Sequence, residues 1–106
     1  MRVVETAFFA IADPTRRFLL DRLRNTGPLT LTALANGLPI TRQATTKHLD
    51  ALARAGLITV RQVGRTRLHE LDPAPLRDVD RWLAPYAQEW DARLERLRRH
   101  VEEEMP

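Results

Sequence analysis

The fold of this chain is decided by residues 38–49, which read LPITRQATTKHL. The first three residues predict a tight turn, and Thr41 is suited to cap a helix over 41–55 that ends at Gly56. A shorter helix is predicted over 31–36, just before the turn, with Thr30 suited to cap its start. Two helices joined by such a turn form a helix-turn-helix.

Two more helices are predicted upstream. One covers 3–12, because Val4, Phe8 and Ile11 recur at helical spacing on one apolar stripe. Asp13 and Pro14 then favour a new helix start, since Asp caps exposed N–H groups and Pro suits the first helical position. This second helix is expected to run to about Asn25. Its inward face is predicted to carry Phe18, Leu19, Arg22 and Leu23, with Leu20 at the margin.

The helix over 41–55 has two chemically different faces. Its inward face is expected to hold Thr45, Leu49, Leu52 and Ala53. Its other face offers the groups that base edges require: Arg pairs with guanine, Gln with adenine, a Thr methyl with a thymine methyl, and Lys suits a phosphate. Because only the first turns of such a helix reach the bases, we predict DNA contacts from Arg42, Gln43, Thr46 and Lys47. The alternative is that these side chains are merely solvated or, for Thr41, capping; His48 is expected to be structural or to donate to a phosphate.

A basic β-hairpin is predicted after Gly56. Residues 57–63 are rich in β-branched side chains, Gly64-Arg65 supplies the turn, and residues 66–71 return. We expect Arg65 at the tip to enter the minor groove, and Arg61 and Arg67 to reach phosphates. For Arg61 and Arg67, protection of the strand edges against association is an equal alternative.

The composition limits the possible functions. The 106 residues fit one domain, and the absence of cysteine excludes disulfides, thiol catalysis and thiolate metal sites. No apolar run is long enough for a membrane span or a signal peptide, so a cytoplasmic location is expected.

Positive charge is concentrated in the part that holds the helix-turn-helix. Residues 1–71 carry eleven basic and five acidic side chains, a balance of +6, whereas residues 72–106 carry six and nine, a balance of −3. A basic face attracts DNA phosphates, although an ordinary solvated surface is equally compatible with the charge taken alone.

A long helix over 75–103 is predicted to close the chain. Its apolar residues advance in steps of 4, 4, 4, 3 and 4 and form one stripe: Trp82, Tyr86, Trp90, Leu94, Leu97 and Val101. A helix of about 45 Å exceeds what the body can cover, so part of the stripe is expected to pair with a second copy, helped by Val4, Phe8 and Phe9. The alternative is that it folds back over its own core. Pro85 is expected to kink or restart the helix near 81–85.

Several short motifs of the chain occur together in one known family. They are Asp13-Pro14-Thr15-Arg16-Arg17, residues 40–49, Leu52 with Ala55-Gly56-Leu57, Gly64-Arg65, and Leu71-Asp72-Pro73. In this combination the chain resembles the ArsR family of winged helix-turn-helix transcriptional regulators, and the tail around Trp82, Tyr86 and Trp90 resembles a branch without metal sites. The resemblance implies a symmetric homodimer that binds a palindromic operator and usually represses, with Arg42, Gln43, Thr46, Lys47 and Arg65 contacting DNA.

The metal sites of that family are not expected here. Members that sense metals through the third helix use a cysteine pair, whereas residues 31–36 hold no ligand. In members that bind zinc across the dimer, Asp and His residues stand where this chain has Pro73, Pro75 and Tyr86, so that only Glu89 could coordinate. His100 and Glu103 have ligand spacing but lack partners upstream, so we expect no metal and no cofactor.

These observations predict a mainly helical fold with a small β-hairpin. Residues 1–106 would form one winged helix-turn-helix domain, with a DNA-binding core over 14–71 and dimerisation helices over 3–12 and 75–103. The predicted function is a homodimeric, sequence-specific regulator, with a protein-binding winged-helix module as the alternative. No catalytic set or phosphate loop favours an enzyme. A small-molecule inducer beneath Trp82, Tyr86 and Trp90 is possible, although aromatic residues at this spacing more often simply pack.

Overall fold

A computed structural model of the chain describes the backbone of residues 2–104 and the side chains of residues 6–104. The elements follow the order predicted from the sequence: α1 (Arg2–Ile11), α2 (Pro14–Thr26), α3 (Leu31–Ala35), α4 (Arg42–Arg54), β1 (Ile58–Val63), β2 (Thr66–Leu71) and α5 (Ala74–Glu104). The predicted fold class is confirmed: a winged helix-turn-helix in which α3 and α4 form the motif, the antiparallel hairpin forms the wing, and a long helix follows.

Residues 13–17 end one helix and begin the next. The Asp13 carboxylate accepts a hydrogen bond from the backbone N–H of Arg16 at 3.1 Å, and Pro14 occupies the first turn of α2. The guanidinium groups of Arg16 and Arg17 donate in the opposite direction, to the last carbonyls of α1. This short motif therefore satisfies polar groups at both helix ends, which fixes the corner between α1 and α2.

The core forms where α2, α3, α4 and the base of the hairpin meet. Its largest fully buried side chains are Leu19, Leu34, Thr45, Leu52 and Leu57. As predicted, α4 turns Thr45, Leu49 and Leu52 inward, but the prediction for Ala53 was wrong because Ala53 is exposed. The buried arc of the helix ends at Leu52, one helical step of about 100° before Ala53.

Two predictions for α2 were also wrong. Phe18 is 41% exposed, and it packs under the Arg22 guanidinium, whose carbon lies 4.6 Å from the ring centroid. Leu20, expected at the margin, is buried. The apolar arc of α2 is thus rotated from Phe18 toward Leu20, and the aromatic ring is shielded by a cation instead of by the core.

The hairpin is closed by a two-residue turn at Gly64 and Arg65. Gly64 has a φ of +60°, which suits the first central position of a type II′ turn. The register pairs Val60 with His69, Gln62 with Arg67, and Arg61 with Leu68. Because paired residues share a face and neighbours alternate, Arg67 lies on the inner face with buried His69, whereas Arg61 lies on the outer face.

The segment that leads into α3 extends the wing sheet. Leu29 and His69 exchange backbone hydrogen bonds of 3.0 and 2.8 Å and form an isolated antiparallel bridge. The Nδ1 atom of His69 also lies 3.2 Å from the Leu29 carbonyl oxygen. The wing is therefore fastened to the start of the helix-turn-helix, a connection that the sequence analysis did not predict.

Helix α5 leaves the body after its first turns. Pro75 and Val79 are buried, but the apolar stripe from Trp82 onward is exposed in this single chain. The radius of gyration is 19.0 Å, against about 13 Å for a compact chain of this length. The stripe therefore does not fold back over the core, and α5 continues through Pro85 without the restart that was one of the two expectations.

None of the helices in the described part of the chain is both long enough and apolar enough to cross a membrane.

Candidate nucleic-acid interface

The start of α4 is exposed and held by capping bonds. The Thr41 hydroxyl oxygen accepts from the Ala44 backbone N–H at 3.0 Å. The buried Thr45 hydroxyl donates back to the Thr41 carbonyl oxygen at 3.1 Å. Both threonines are thus committed to the helix start, which agrees with the capping interpretation of Thr41. The neighbouring side chains of Arg42, Gln43, Thr46 and Lys47 are exposed on a helix end that these bonds hold in place.

Two side chains of the first turns point toward α3 and the wing. Arg42 donates from its Nη1 atom to the hydroxyl oxygen of Thr32 on α3, at 3.1 Å. The Thr46 hydroxyl donates to the carbonyl oxygen of Arg42, also at 3.1 Å. The Arg42 side chain is therefore directed toward α3, and the Thr46 hydroxyl hydrogen is used in a bond within α4.

A cleft of about 700 Å³ separates this helix from the wing. Its lining comes from three elements of the fold and from the approach to α3: Thr30, Leu31, Thr32, Arg42, Thr46, Leu49, Asp50, Arg65, Thr66, Arg67 and His69. Four of the seven predicted DNA-contacting residues meet here, namely Arg42, Thr46, Arg65 and Arg67. The structure thus brings one cation of the helix, Arg42, and two cations of the wing to one site.

The other three predicted residues lie elsewhere. Gln43 and Lys47 are exposed on α4 but outside the cleft lining, on the side of the helix turned farthest from the core. Arg61 lies on the outer face of the wing, where its Nε atom is 3.6 Å from the Glu70 carboxylate. Its charge is therefore partly balanced within the wing.

The sequence analysis did not predict the other polar residues of the cleft as part of the site: Thr30, Thr32, Asp50, Thr66 and His69. Asp50 is a carboxylate among three guanidinium groups on a face that is otherwise suited to phosphate. Its signal was present in the sequence, because positions 42, 46 and 50 follow the i, i+4, i+8 spacing of one helix face.

The two histidines near this region serve the framework. His48 lies between α4 and the start of α2, with its Nδ1 atom 3.9 Å from the Asp13 carboxylate, which agrees with the expected structural role. The Arg16 N–H bond, and then the nearby His48, hold the pKa of Asp13 below its ordinary value despite partial burial. His69 is buried at the floor of the cleft, against Leu29.

A second surface is formed by α1 and α5. The Phe8 and Trp82 rings meet edge to face at 5.5 Å between centroids, and Trp82 packs on Tyr86 at 4.9 Å. The rest of the predicted stripe is about half exposed, and Phe9 is 72% exposed. The side chain of Val4, which was predicted to join this surface, lies outside the described side chains.

The histidine at the end of α5 has a local partner. The Nε2 atom of His100 lies 3.1 Å from a Glu104 carboxylate oxygen, four residues further along the helix. Among the described residues, no group of three or more His, Asp or Glu side chains is arranged to hold a metal ion.

The fold and this site define a winged helix-turn-helix protein, and comparison with known proteins gives its family. The family model of a helix-turn-helix domain matches residues 11–61. The chain is 42% identical over 95 residues to HTH-type transcriptional regulator Rv2034 of Mycobacterium tuberculosis, covering 82% of this chain and 88% of that protein.

Solved structures of related proteins have the same fold. An ArsR-like transcriptional regulator from Rhodococcus sp. RHA1 superposes with a TM-score of 0.71 at 34% identity, covering 92% of each chain. The homodimeric winged helix-turn-helix DNA-binding domain of Mb0332 from Mycobacterium bovis gives a TM-score of 0.62 at 25% identity, covering 90% of this chain and 84% of that one. The present chain belongs to the ArsR family of winged helix-turn-helix transcriptional regulators, and it is a DNA-binding regulator, as the names of these relatives indicate.

Proposed function

We propose that the chain is a homodimeric repressor that binds a palindromic operator in a sequence-specific way. In this proposal α4 lies in the major groove and the wing lies beside it on the same duplex. The observation that carries it is the shared cleft, where Arg42 and Thr46 of the helix face Arg65 and Arg67 of the wing. A cleft flanked on both sides by guanidinium groups suits a charged backbone next to readable base edges.

The side chains divide into base readers and phosphate binders. Arg42 and Gln43 read base edges, and Thr46 contacts a thymine methyl. Lys47 and Arg67 bind phosphates, and Arg65 enters the minor groove or binds its rim. Arg61 contributes less, because Glu70 lies beside its guanidinium.

Dimer formation follows from the exposed stripe of α5. Water-exposed Trp90, Leu94 and Leu97 on a helix that projects from the body form an apolar patch of the kind that marks an interface. The partner is a second copy, with Phe8, Phe9 and Tyr86 at its edge. The homodimeric state of the Mycobacterium bovis domain supports this assignment. Two-fold symmetry would space the two α4 helices by about 34 Å, one turn of DNA.

Repression is the usual activity that membership in the ArsR family implies, since a dimer seated on a promoter excludes the polymerase. A protein-binding module would need an apolar partner surface on α4. Helix α4, which is described in full, presents no exposed large apolar side chain, since those of the chain lie on α1, α2, the wing and α5. The alternative function is therefore the less favoured one.

Footprinting on the DNA upstream of the protein's own gene, combined with selection from a random-sequence duplex pool, tests the proposal. We expect protected half-sites related by two-fold symmetry, with centres about one helical turn apart. In a reporter strain, deletion of the regulator should raise expression from that promoter. A chain that remains monomeric at micromolar concentration and selects no consensus would contradict the proposal, and capture of a protein partner through α4 would favour the alternative.

Two substitutions separate the assigned roles. Arg42→Ala should cost about 1–3 kcal/mol on the operator and relax one base position, whereas Lys47→Ala should weaken all sequences alike and lower the salt slope by about one. Equal losses on operator and random DNA for both variants would remove the assignment.

A further inference from the structure

Arg42 begins α4 with a long side chain that is exposed to solvent. A base contact requires its guanidinium plane to be fixed, and much of the rotamer freedom of the side chain is then lost. A neighbouring group that holds the guanidinium before DNA arrives would reduce this loss, as preorganisation does in binding generally. The structure contains one group in this position.

That group is the hydroxyl of Thr32, which accepts a hydrogen bond from Arg42 Nη1 at 3.1 Å. The bond uses one of the five N–H donors of the guanidinium, so the edge formed by Nη2 and Nε stays free. Two parallel donors on one edge match the O6 and N7 acceptors of guanine. Both residues line the cleft between α4 and the wing, so the bond does not withdraw Arg42 from the proposed DNA site.

Thr32 itself stands on a helix that is fixed at both ends. At the start of α3, the Thr30 hydroxyl accepts from the Ala33 N–H at 3.2 Å. At its end, Arg22 donates from Nη1 to the carbonyls of Ala33 and Leu34, both at 3.0 Å. Leu34 is fully buried in the core. The acceptor is therefore carried by a rigid support and not by a mobile loop.

We propose that Thr32 is a positioning residue for base reading: its hydroxyl holds the Arg42 guanidinium so that Arg42 discriminates guanine in each half-site. The inference rests on the proposed DNA-binding function and adds a residue that itself need not touch DNA. A purely structural role, in which the bond only fastens α3 to α4, would affect stability without changing sequence preference.

The test compares three variants on the selected operator and on a random duplex of equal length. Thr32→Val removes the acceptor and keeps the shape, whereas Thr32→Ser keeps the hydroxyl. Thr59→Val makes the same change at an exposed position on the outer face of the wing. We expect Thr32→Val to lower the operator-to-random affinity ratio about three- to tenfold, Thr32→Ser to stay within about twofold, and Thr59→Val to have no effect.

A double-mutant cycle shows whether the effect passes through Arg42. Thr32→Val should have no further effect on the ratio in an Arg42→Ala background, and repeated selection should lose guanine preference at the same position in both single variants. Urea unfolding checks that each variant folds.

An unchanged ratio for folded Thr32→Val, beside a lowered ratio for Arg42→Ala, would overturn the positioning role alone. The same would follow if Thr32→Val had equal effects in both backgrounds. A wild-type protein that does not distinguish operator from random duplex would overturn the DNA-reading function itself, and this is seen before any variant is compared.

Discussion

The Thr46 hydroxyl donates to the Arg42 carbonyl oxygen at 3.1 Å, one turn back along α4. Its only hydrogen is thereby used within the helix, and the methyl group is the apolar part of the side chain that remains for DNA. Thr46 lines the cleft, so this methyl is available to the C5-methyl group of a thymine.

Uracil in place of that thymine removes the methyl partner without changing base pairing. We expect the wild-type protein to lose about fourfold in affinity for the substituted operator, the value of one buried methyl group. Thr46→Val should lose a similar factor because it keeps a methyl, whereas Thr46→Ala should be insensitive to the exchange. Equal sensitivity of Thr46→Ala and wild type, measured by titration with both duplexes, would show that the methyl pair does not form.

Asp50 places one negative charge beside the guanidinium groups of the cleft. A carboxylate near phosphates opposes binding to any sequence, so its loss should strengthen binding to operator and random DNA alike. We expect Asp50→Asn to tighten binding to both duplexes several-fold and to leave the operator-to-random ratio unchanged. Asp21→Asn on α2 is the control, since Asp21 is exposed and lies 3.9 Å from Arg24. Weaker binding by Asp50→Asn would instead indicate that Asp50 accepts a hydrogen bond from a base.

The strand register of the wing places Arg61 and Arg67 on opposite faces of the hairpin. Arg67 faces the cleft, whereas Arg61 lies on the outer face beside Glu70. Arg67→Ala should therefore lower the salt slope of binding by about one, and Arg61→Ala should lower it by clearly less. Glu70→Gln should strengthen binding slightly, and only while Arg61 is present. A larger loss for Arg61→Ala than for Arg67→Ala would mean that DNA approaches the outer face.

The helix boundaries were predictable because they depend on local chemistry. Asp13, Thr30 and Thr41 cap the helices that they were expected to start, and Gly64 supplies the positive φ of the hairpin turn. Each of these bonds spans at most a few residues. The residues that form each cap or turn are neighbours in the sequence, so the helix starts and the hairpin turn can be predicted from it.

Two of the contacts that were missed join residues that are distant in the sequence. The bridge from Leu29 to His69 joins segments forty residues apart, and no local pattern indicates it. The same holds for the bond between Arg42 and Thr32, which requires α3 and α4 to be docked first. The sheet faces on which Arg61 and Arg67 lie could be assigned only once the strand register was known, because a shift of one residue moves a side chain to the other face.

Asp13 connects stability to pH. The pKa of Asp13 in the folded chain lies below the ordinary value of 3.8, chiefly because its carboxylate accepts the Arg16 N–H bond. Because the folded pKa is lowered, the ionised carboxylate stabilises the fold in full above its ordinary pKa of 3.8. This contribution is lost as the pH falls from there through the lower pKa of the folded chain. Asp13→Ala should therefore cost about 1 kcal/mol at pH 7 and progressively less toward pH 3.

The matched variant for that measurement is Asp13→Asn, because Asn caps a helix about as well as Asp but does not titrate. Urea unfolding at several pH values should show Asp13→Asn close to wild type at pH 7, with the difference between them moving in its favour as the solution is acidified. A cost for Asp13→Ala that does not change with pH would mean that the cap acts without its charge.

Leu94 is the position at which the proposed dimer interface on α5 can be tested directly. It lies on the exposed stripe of α5, beyond the body of the protomer, so a charge at this position disturbs nothing within one chain. Across a dimer interface, the same charge would be desolvated against apolar side chains, at a cost of several kcal/mol. We expect Leu94→Glu to be monomeric in analytical ultracentrifugation at micromolar concentration and to lose specific operator binding. Ala92→Glu, two residues away on the opposite side of the helix, should remain dimeric and bind as wild type. If both variants stayed dimeric, the second copy would have to join the first through another surface, and the spacing of the two α4 helices along the duplex would no longer follow from α5.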